Sequence, residues 1–242
     1  MHLLVTRPQP EAQHFAKQLA AAGHKTVIAP LLEIQAVAEE DADIFASVDA
    51  LAITSARTFN FLQPTEAARA LPVFTVGAAT AAAARAAGFQ QVEEAAGNAA
   101  ALASLLRRRL PPGKVVLNPG GRDQARDPSQ ILAGGGLVLI RRIVYQAYQV
   151  SVMPQAATTA LDEGCLDAAT FFSPRTARAF VRLAQESGLV ERTEPLLAFC
   201  LSPAVAAGLR GSAWKDVLCA QQPDSAGLLQ LIASRACGGN KE

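Results

Sequence analysis

Ile53-Thr54-Ser55-Ala56-Arg57-Thr58 follows a strand-like apolar run, and a close relative of it returns as Phe172-Ser173-Pro174-Arg175-Thr176-Ala177. Each opens an Ala-rich stretch of helical character. At a similar interval after each comes a second strand and turn, residues 72–81 in the first case and 195–206 in the second. One unit therefore occurs twice, and short apolar strands alternating with helical segments are the mark of a layered α/β protein with parallel sheets.

Working outward, residues 2–6 read as a buried strand, turned by Thr6-Arg7-Pro8 into a helix carried by Phe15, Leu19 and Ala22 as far as Gly23. A strand at 26–29 and the extended exit Pro30-Leu31-Leu32-Glu33-Ile34 follow. Residues 115–149 repeat that order: a strand, a turn Asn118-Pro119-Gly120-Gly121-Arg122, a weak helix at 128–132, glycines 134–136, and strands at 137–140 and 143–150. The chain thus runs first half, second half, first half, second half of one unit, which predicts two similar α/β domains.

Between these landmarks the acidic stretch 35–43 is a crossing, and 44–48 reads as a short helix capped by Asp41 or Asp43 before a strand at 50–53. The helix after Ser55 is expected through Phe59 and Phe61, with a break near Pro64 and a helical piece up to Leu71. A strand at 73–76, a helix from Thr80 to Gly88, a short strand at 89–92 and a helix begun by Asn98 complete the middle. The last part offers a short helix at 158–161, a strand at 168–172, and a helix after Pro174 showing Ala177, Phe180, Val181 and Ala184 at helical spacing. A surface turn at 191–194, strands at 196–201 and 216–220, helices at 204–209 and 225–232 and a frayed tail at 238–242 finish it.

Half of the 242 residues are hydrophobic (50%) and 18% are charged, core material enough to exclude a disordered chain. The 22 Lys and Arg against 21 Asp and Glu leave a net charge of +1, so no global positive field points to nucleic acid or membrane surfaces. An anionic ligand must be met by local groups. Arg107-Arg108-Arg109, just before Pro111-Pro112, reads as a solvated helix end. Cys165, Cys200, Cys219 and Cys237 have neither metal spacing nor the pattern of a secreted framework, and are read as buried free thiols. Arg7 and Pro8 interrupt the initial apolar run, no stretch is long enough to span a bilayer, and the expected location is the cytoplasm.

The chemistry concentrates in four turns: Thr6-Arg7-Pro8, Thr54-Ser55-Ala56-Arg57, Gly77-Ala78-Ala79-Thr80 and Asn118-Pro119-Gly120-Gly121-Arg122. In a parallel sheet such turns lie beyond the carboxyl ends of the strands, where ligands bind. Helix-end N–H groups there hold carboxylates or phosphates. For Thr54, Ser55, Thr80, Ser173 and Ser202 two readings stand, helix capping and ligand binding. Arg7 and Arg122 occupy comparable places in the repeat, as do Arg57 and Arg175; four in register suggest clamps for a polyanion, and each alone suits a surface salt bridge.

His2, His14 and His24 belong to no metal cluster, and no nucleophile elbow, phosphate loop or dinucleotide glycine pattern is present. Tyr145 and Tyr148 stand on the last strand of the second repeat. A phenol there either donates one hydrogen bond to a leaving hydroxyl or carboxylate, or packs across a two-stranded link.

Taken together, Thr6-Arg7-Pro8, Pro30-Leu31-Leu32-Glu33-Ile34, Thr54-Ser55-Ala56-Arg57, residues 76–81, Gly121-Arg122, Val144-Tyr145 and residues 172–177 make the chain resemble the uroporphyrinogen-III synthase family over nearly its whole length. The resemblance implies two similar three-layer α/β domains with parallel sheets, joined by a two-stranded connector. Carried over, residues 1–34 and 151–242 form one domain, 39–145 the other, and 35–38 with 146–150 the connectors. It also implies cyclisation of the linear tetrapyrrole hydroxymethylbilane to uroporphyrinogen III, with loss of water, inversion of ring D and no metal or organic cofactor. A hydro-lyase of this kind is expected to act as a monomer, in transient contact with hydroxymethylbilane synthase, with neither nucleic acid nor membrane as partner.

On that resemblance Tyr145 assists departure of the hydroxyl, while Arg7, Thr54, Ser55, Arg57, Gly77, Thr80, Gly121, Arg122, Ser173, Arg175 and Ser202 bind the substrate between the two domains. Two departures stand out. Where the family carries Gly-Pro-Thr-Thr-Ala this chain has Ser202-Pro203-Ala204-Val205-Ala206, and Phe172 replaces the threonine that usually precedes the serine. The competing reading is a two-domain binding protein for a small polyanion; a regulator of DNA would need a basic recognition helix that the sequence lacks.

Overall fold

The computed structural model describes residues 1–37, 44–122 and 135–238, the last two for their backbone alone. The helix expected at 128–132, the caps Asp41 and Asp43, the side chain of Cys237 and the tail beyond 238 lie outside the described residues.

By its contacts the chain divides into two units, Met1–Ile34 with Tyr148–Glu242, and Gln35–Ala147. In the first, a five-stranded sheet has the order β11-β10-β9-β1-β2, with β1 His2–Val5, β2 Lys25–Ile28, β9 Ala168–Phe171, β10 Leu197–Cys200 and β11 Asp216–Cys219. Every neighbouring pair is parallel. Parallel strands need a crossover, and helices fill that role on both faces. On one face Leu4 packs with Phe180 of α6 (Pro174–Glu186) and Leu161 of α5 (Gln155–Asp162). On the other, Leu3 and Val5 pack with Phe15 of α1 (Glu11–Ala21) and Leu228 of α8 (Ser225–Gly238). The alternation of β1 side chains between two cores is what makes the unit three layers thick.

Why α6 is a helix can be read from its residues. Ala177, Phe180, Val181 and Ala184 recur at helical spacing and are buried, while Arg178 and Gln185 point to solvent. Ser173 caps it, its Oγ accepting from the Thr176 amide at 3.1 Å, with Pro174 in the first turn.

The second unit holds most of a six-stranded sheet, β3-β8-β7-β4-β5-β6. Its strands are β3 Leu32–Ala36, β4 Ala50–Ile53, β5 Pro72–Thr75, β6 Gln91–Glu94, β7 Val115–Gly121 and β8 Val138–Gln149. The pairs from β4 to β8 are parallel. Only β3 runs against its neighbour: the amide of Val37 donates to Val144 O, and that of Val150 to Leu31 O, so numbering falls along β8 as it rises along β3. Leu51 and Ile53 face a core with Phe59, with Ala68 of α2 (Glu66–Arg69) and with Ala84 of α3 (Ala78–Ala86); Ala50 and Ala52 face Leu102 and Leu106 of α4 (Ala99–Arg109). Asp49 ties the start of β4 to the start of β7, accepting from Lys114 Nζ at 2.7 Å and from the Val115 amide at 2.8 Å. The lysine's hydrogen bond, with that amide's, holds the carboxyl below the usual carboxylate range.

Several expectations need correction. Residues 44–47 make only a turn, the Val48 amide reaching back three residues to Phe45 O, since one isolated turn pays helix nucleation without extending. The segment after Ser55 is a 3₁₀ helix, Ala56–Asn60, rather than an α-helix, closed by amide bonds to carbonyls three residues back. Residues 204–209 likewise divide into α7 (Pro203–Ala206) and a 3₁₀ turn, Ala207–Leu209. The segment read as a surface turn at 191–194 holds a fully buried Thr193, whose hydroxyl oxygen lies 2.7 Å from the backbone oxygens of both Val190 and Ala213, with one proton to donate between them. Cys165 is exposed rather than buried. The two strands expected at 137–140 and 143–150 are one strand, β8.

Candidate functional site

In the first unit the chain steps outward from β1 to β2 and, later, in the other direction from β9 to β10 and β11. The switch therefore falls between β1 and β9, and the loops after these strands are Thr6-Arg7-Pro8 and Phe172-Ser173-Pro174-Arg175. In the second unit the switch falls between β4 and β7, followed by Thr54-Ser55-Ala56-Arg57 and Gly121-Arg122. Open α/β sheets bind ligands at this point because the crossovers leave in opposite directions and part the strand ends. The order in space is one pattern in both units, but the second is entered at the strand that corresponds to β9.

Buried side chains pin the parting strands. Thr6 Oγ1 donates to Thr170 O at 2.7 Å, and Thr170 Oγ1 to Leu4 O at 3.1 Å. In the second unit Asn118 Nδ2 donates to Ala52 O at 2.6 Å.

At the first switch the Arg7 guanidinium lies over the Phe172 ring, its Cζ 4.0 Å from the centroid, and Nη1 donates to Ser225 Oγ at 3.3 Å. Phe172 in turn stands edge-on to Phe15, centroids 4.9 Å apart. The arginine is thus held on an aromatic platform. Phe172, noted in the sequence only as a departure, supplies that platform, and neither it nor Ser225 was singled out for a site role. The signal was an aromatic residue in a loop at a strand end.

The hydroxyls separate into two kinds. Ser173 caps α6 as described, and its Oγ also lies 2.8 Å from Thr176 Oγ1. Ser55 and Ser202 occupy cap positions without making a side-chain cap bond, so capping does not account for them. Thr54 and Arg57 are half-buried beside Ser55, Arg175 is half-buried in the first turn of α6, and Thr80 is buried inside α3, whose cap position is Gly77. Replacing Ser173 by alanine should cost about 1 kcal/mol of stability from the lost cap, read as a lowered urea midpoint; an unchanged midpoint would show that Thr176 caps in its place.

The fourth turn is not a turn. Strand β7 continues through Asn118, Pro119 and Gly120 to Gly121, because β8 pairs with it that far. Arg7 and Arg122 are consequently out of step. Leu3 faces Ala168 and Val116 faces Ala50, so Arg7 corresponds to Gly120, and the exposed Arg122 sits two residues further along.

Tyr145 lies against this strand end. Register pairing runs to Gly120↔Ile143, then skips to Gly121↔Tyr145. The Arg122 amide donates to Tyr145 O at 2.9 Å, and a Cβ at Gly121 would stand 2.8 Å from Tyr145 Cζ. Phe61 covers the phenol at 5.0 Å between centroids, tilted by 30°. The ring is held between a glycine and a phenylalanine. No described side chain hydrogen-bonds its hydroxyl, which leaves that group available to a ligand.

Other reactive groups stand apart. Burial pushes the Cys200 thiol up to about 12, which keeps it protonated. Among the described residues no group of His, Cys, Asp and Glu is arranged to hold a metal, and no helix is long and apolar enough to cross a membrane. A cavity of about 190 Å³ beside Leu166, Arg192 and Leu196 lies at the amino ends of β9 and β10, the end opposite the loops.

Two doubly wound sheets, each with polar loops gathered at a switch point, define a duplicated two-domain α/β protein. The chain belongs to the uroporphyrinogen-III synthase family: the family model "Uroporphyrinogen-III synthase HemD" matches residues 13–230. A solved structure shares the fold. That of uroporphyrinogen-III synthetase from Helicobacter pylori 26695 aligns with 97% of this chain and 100% of its own at 17% identity and a TM-score of 0.59. Uroporphyrinogen III synthase from the extremely thermophilic bacterium Thermus thermophilus aligns over 98% of each chain at 17% identity, TM-score 0.45. A search of curated protein sequences gives no match.

Proposed function

We propose that the protein is a uroporphyrinogen-III synthase, a cyclising hydro-lyase that converts hydroxymethylbilane to uroporphyrinogen III. The observation that carries this reading is family membership over residues 13–230 together with a phenol whose hydroxyl no described side chain engages. The substrate is an electron-rich pyrrole chain that loses its hydroxyl readily. The protein's work is then mainly geometric, holding the chain so that closure proceeds with ring D inverted, through an azafulvene and a spiro intermediate. Tyr145 donates a hydrogen bond to the departing hydroxyl, which leaves as water; a phenol does this uncharged at neutral pH.

Each unit offers groups suited to carboxylates. The first has Arg7 on its aromatic platform, the amino end of α6 beyond Ser173, Arg175, and Ser202. The second has Thr54, Ser55, Arg57, Gly77 with the amino end of α3 and Thr80, then Gly121 and Arg122. Helix-end amides and guanidinium forks bind carboxylates without a large net charge, which suits a chain of net charge +1. The altered 202–206 loop keeps its backbone donors, so it contributes amides and Ser202 rather than threonine hydroxyls. The proposed setting is the cytoplasm, as a monomer that receives its substrate from hydroxymethylbilane synthase.

The deciding assay supplies hydroxymethylbilane and separates product isomers. Formation of type III faster than spontaneous closure to type I is expected; type I alone, at the uncatalysed rate, would refute the assignment. Tyr145→Phe should lower kcat by about tenfold with an unchanged melting curve, and an undiminished rate would reduce Tyr145 to packing. Arg7→Ala should chiefly raise KM, by about tenfold for a lost charged hydrogen bond. Unaltered KM and kcat/KM would remove Arg7 from the binding set.

A further inference from the structure

We propose that Arg141 is a positioning residue for Tyr145: its guanidinium locks the carboxyl end of β7 and thereby sets where the phenol stands. The inference rests on the assignment of Tyr145 as the assisting donor.

Arg141 lies on β8 opposite Asn118. Its Nη1 donates to Asn118 O at 3.0 Å and to Arg142 O at 3.2 Å, and its Nη2 donates to Gly121 O at 2.7 Å. The need for these bonds follows from the irregularity beside them. Between Gly120 and Gly121 the register jumps, so that Val144 is skipped and Tyr145 faces Gly121. Such a bulge disrupts the ladder locally. Pairing with β4 ends at Leu117 and regular pairing with β8 ends at Gly120, and a backbone oxygen left at Gly121 without a partner is costly. A planar fork with five donors can satisfy oxygens at 118, 121 and 142 together, whereas an ammonium is a point donor on a flexible stem.

The consequence for the phenol lies in one peptide unit. The bond between Gly121 and Arg122 has its oxygen held by Arg141 Nη2 and its N–H held by Tyr145 O at 2.9 Å. Pinned at both ends, that unit fixes the Gly121 α-carbon, and the Tyr145 ring rests directly on it. Without the guanidinium the Gly121 carbonyl would turn toward water and the floor under the ring would shift. A displacement of about 1 Å at a reacting group costs up to about 100-fold in rate.

The test uses the full chain carrying Arg141→Met, Arg141→Lys, Tyr145→Phe and the double variant Arg141→Met with Tyr145→Phe. Arg141→Met should lower kcat about tenfold, close to the loss from Tyr145→Phe, with KM changed much less. Arg141→Lys should recover little, because charge alone does not span the three oxygens. In the Tyr145→Phe background Arg141→Met should produce no further fall in kcat. A second readout is independent of turnover. One α-proton of Gly121 points at the Tyr145 ring and should resonate upfield through the ring current; that shift should shrink in Arg141→Met. Losses that multiply in the double variant, or an undiminished upfield shift in folded Arg141→Met, would overturn the inference. Full activity of Tyr145→Phe would instead remove the donor assignment, and the Gly121 resonance would still decide whether Arg141 places the ring. Should Arg141→Met not fold, Arg141→Lys carries the same measurements.

Discussion

Gly121→Ala should lower kcat by at least the roughly tenfold expected of Tyr145→Phe, and with it kcat/KM, and lower stability by about 1–3 kcal/mol, the usual cost of forcing a methyl into occupied space. The added Cβ would lie 2.8 Å from Tyr145 Cζ, 3.1 Å from Cδ2 and nearer still to Cε2. Real Cβ atoms do not approach ring carbons so closely, and neither neighbour yields easily. Gly121 has its carbonyl bonded to Arg141, and the ring is stopped on its other face by Phe61 at 5.0 Å. The phenol must swing out, carrying its hydroxyl away from the place the reaction needs. Gly77→Ala is the matched control for stability, since nothing stands within 4 Å of a Cβ there and its φ of −166° is open to any residue. A Gly121→Ala chain that kept wild-type kcat/KM and its urea midpoint would mean that the ring has room to move and that its position is not held.

Phe171→Ala carries the largest stability effect, about 3–5 kcal/mol for an emptied aromatic site. Phe171 is fully buried at the end of β9, edge-on to Phe180 at 5.4 Å and to Trp214 at 5.6 Å. Those rings anchor α6 and the approach to β11 onto the sheet, and residue 172 begins the switch-point loop directly after. Trp214 is the chain's single tryptophan, so its fluorescence follows the first unit alone. The midpoint read this way should fall by roughly 10 °C, with the transition of the second unit, followed through its amide signals, moved far less. Equal shifts in both transitions would show that the two units unfold together; no shift would mean that Trp214 and Phe180 close the cavity.

Membership and fold class were legible early because they depend on order. The pair 53–58 and 172–177, and the repetition of 3–34 at 115–149, require only that similar residues recur in the same sequence of strand, turn and helix. Helix α6 and the Asn98 cap of α4, whose Oδ1 accepts from the amides of Ala100 and Ala101, are likewise local patterns and stand where the sequence places them. Periodicity failed where segments were too short to show a period, at 44–47 and 56–60. It failed also at 118–121, where proline and two glycines imitate a turn. A strand there survives because β8 lies alongside and Arg141 holds the last carbonyl, that of Gly121, and both are partners from about twenty residues away.

The sequence by itself determined that this chain repeats one α/β unit, interleaves its halves and carries hydroxyls, glycines and arginines after its strands. Those properties are written in covalent order and local propensity, which need no partner to be read. Only the tertiary structure decided that Arg7 rests on Phe172, that Arg122 is out of step with it, and that Tyr145 is laid on Gly121 by a bulge pinned through Arg141. Each of these depends on which strands become neighbours and in what register, and a one-residue shift between β7 and β8 is invisible until the two are paired.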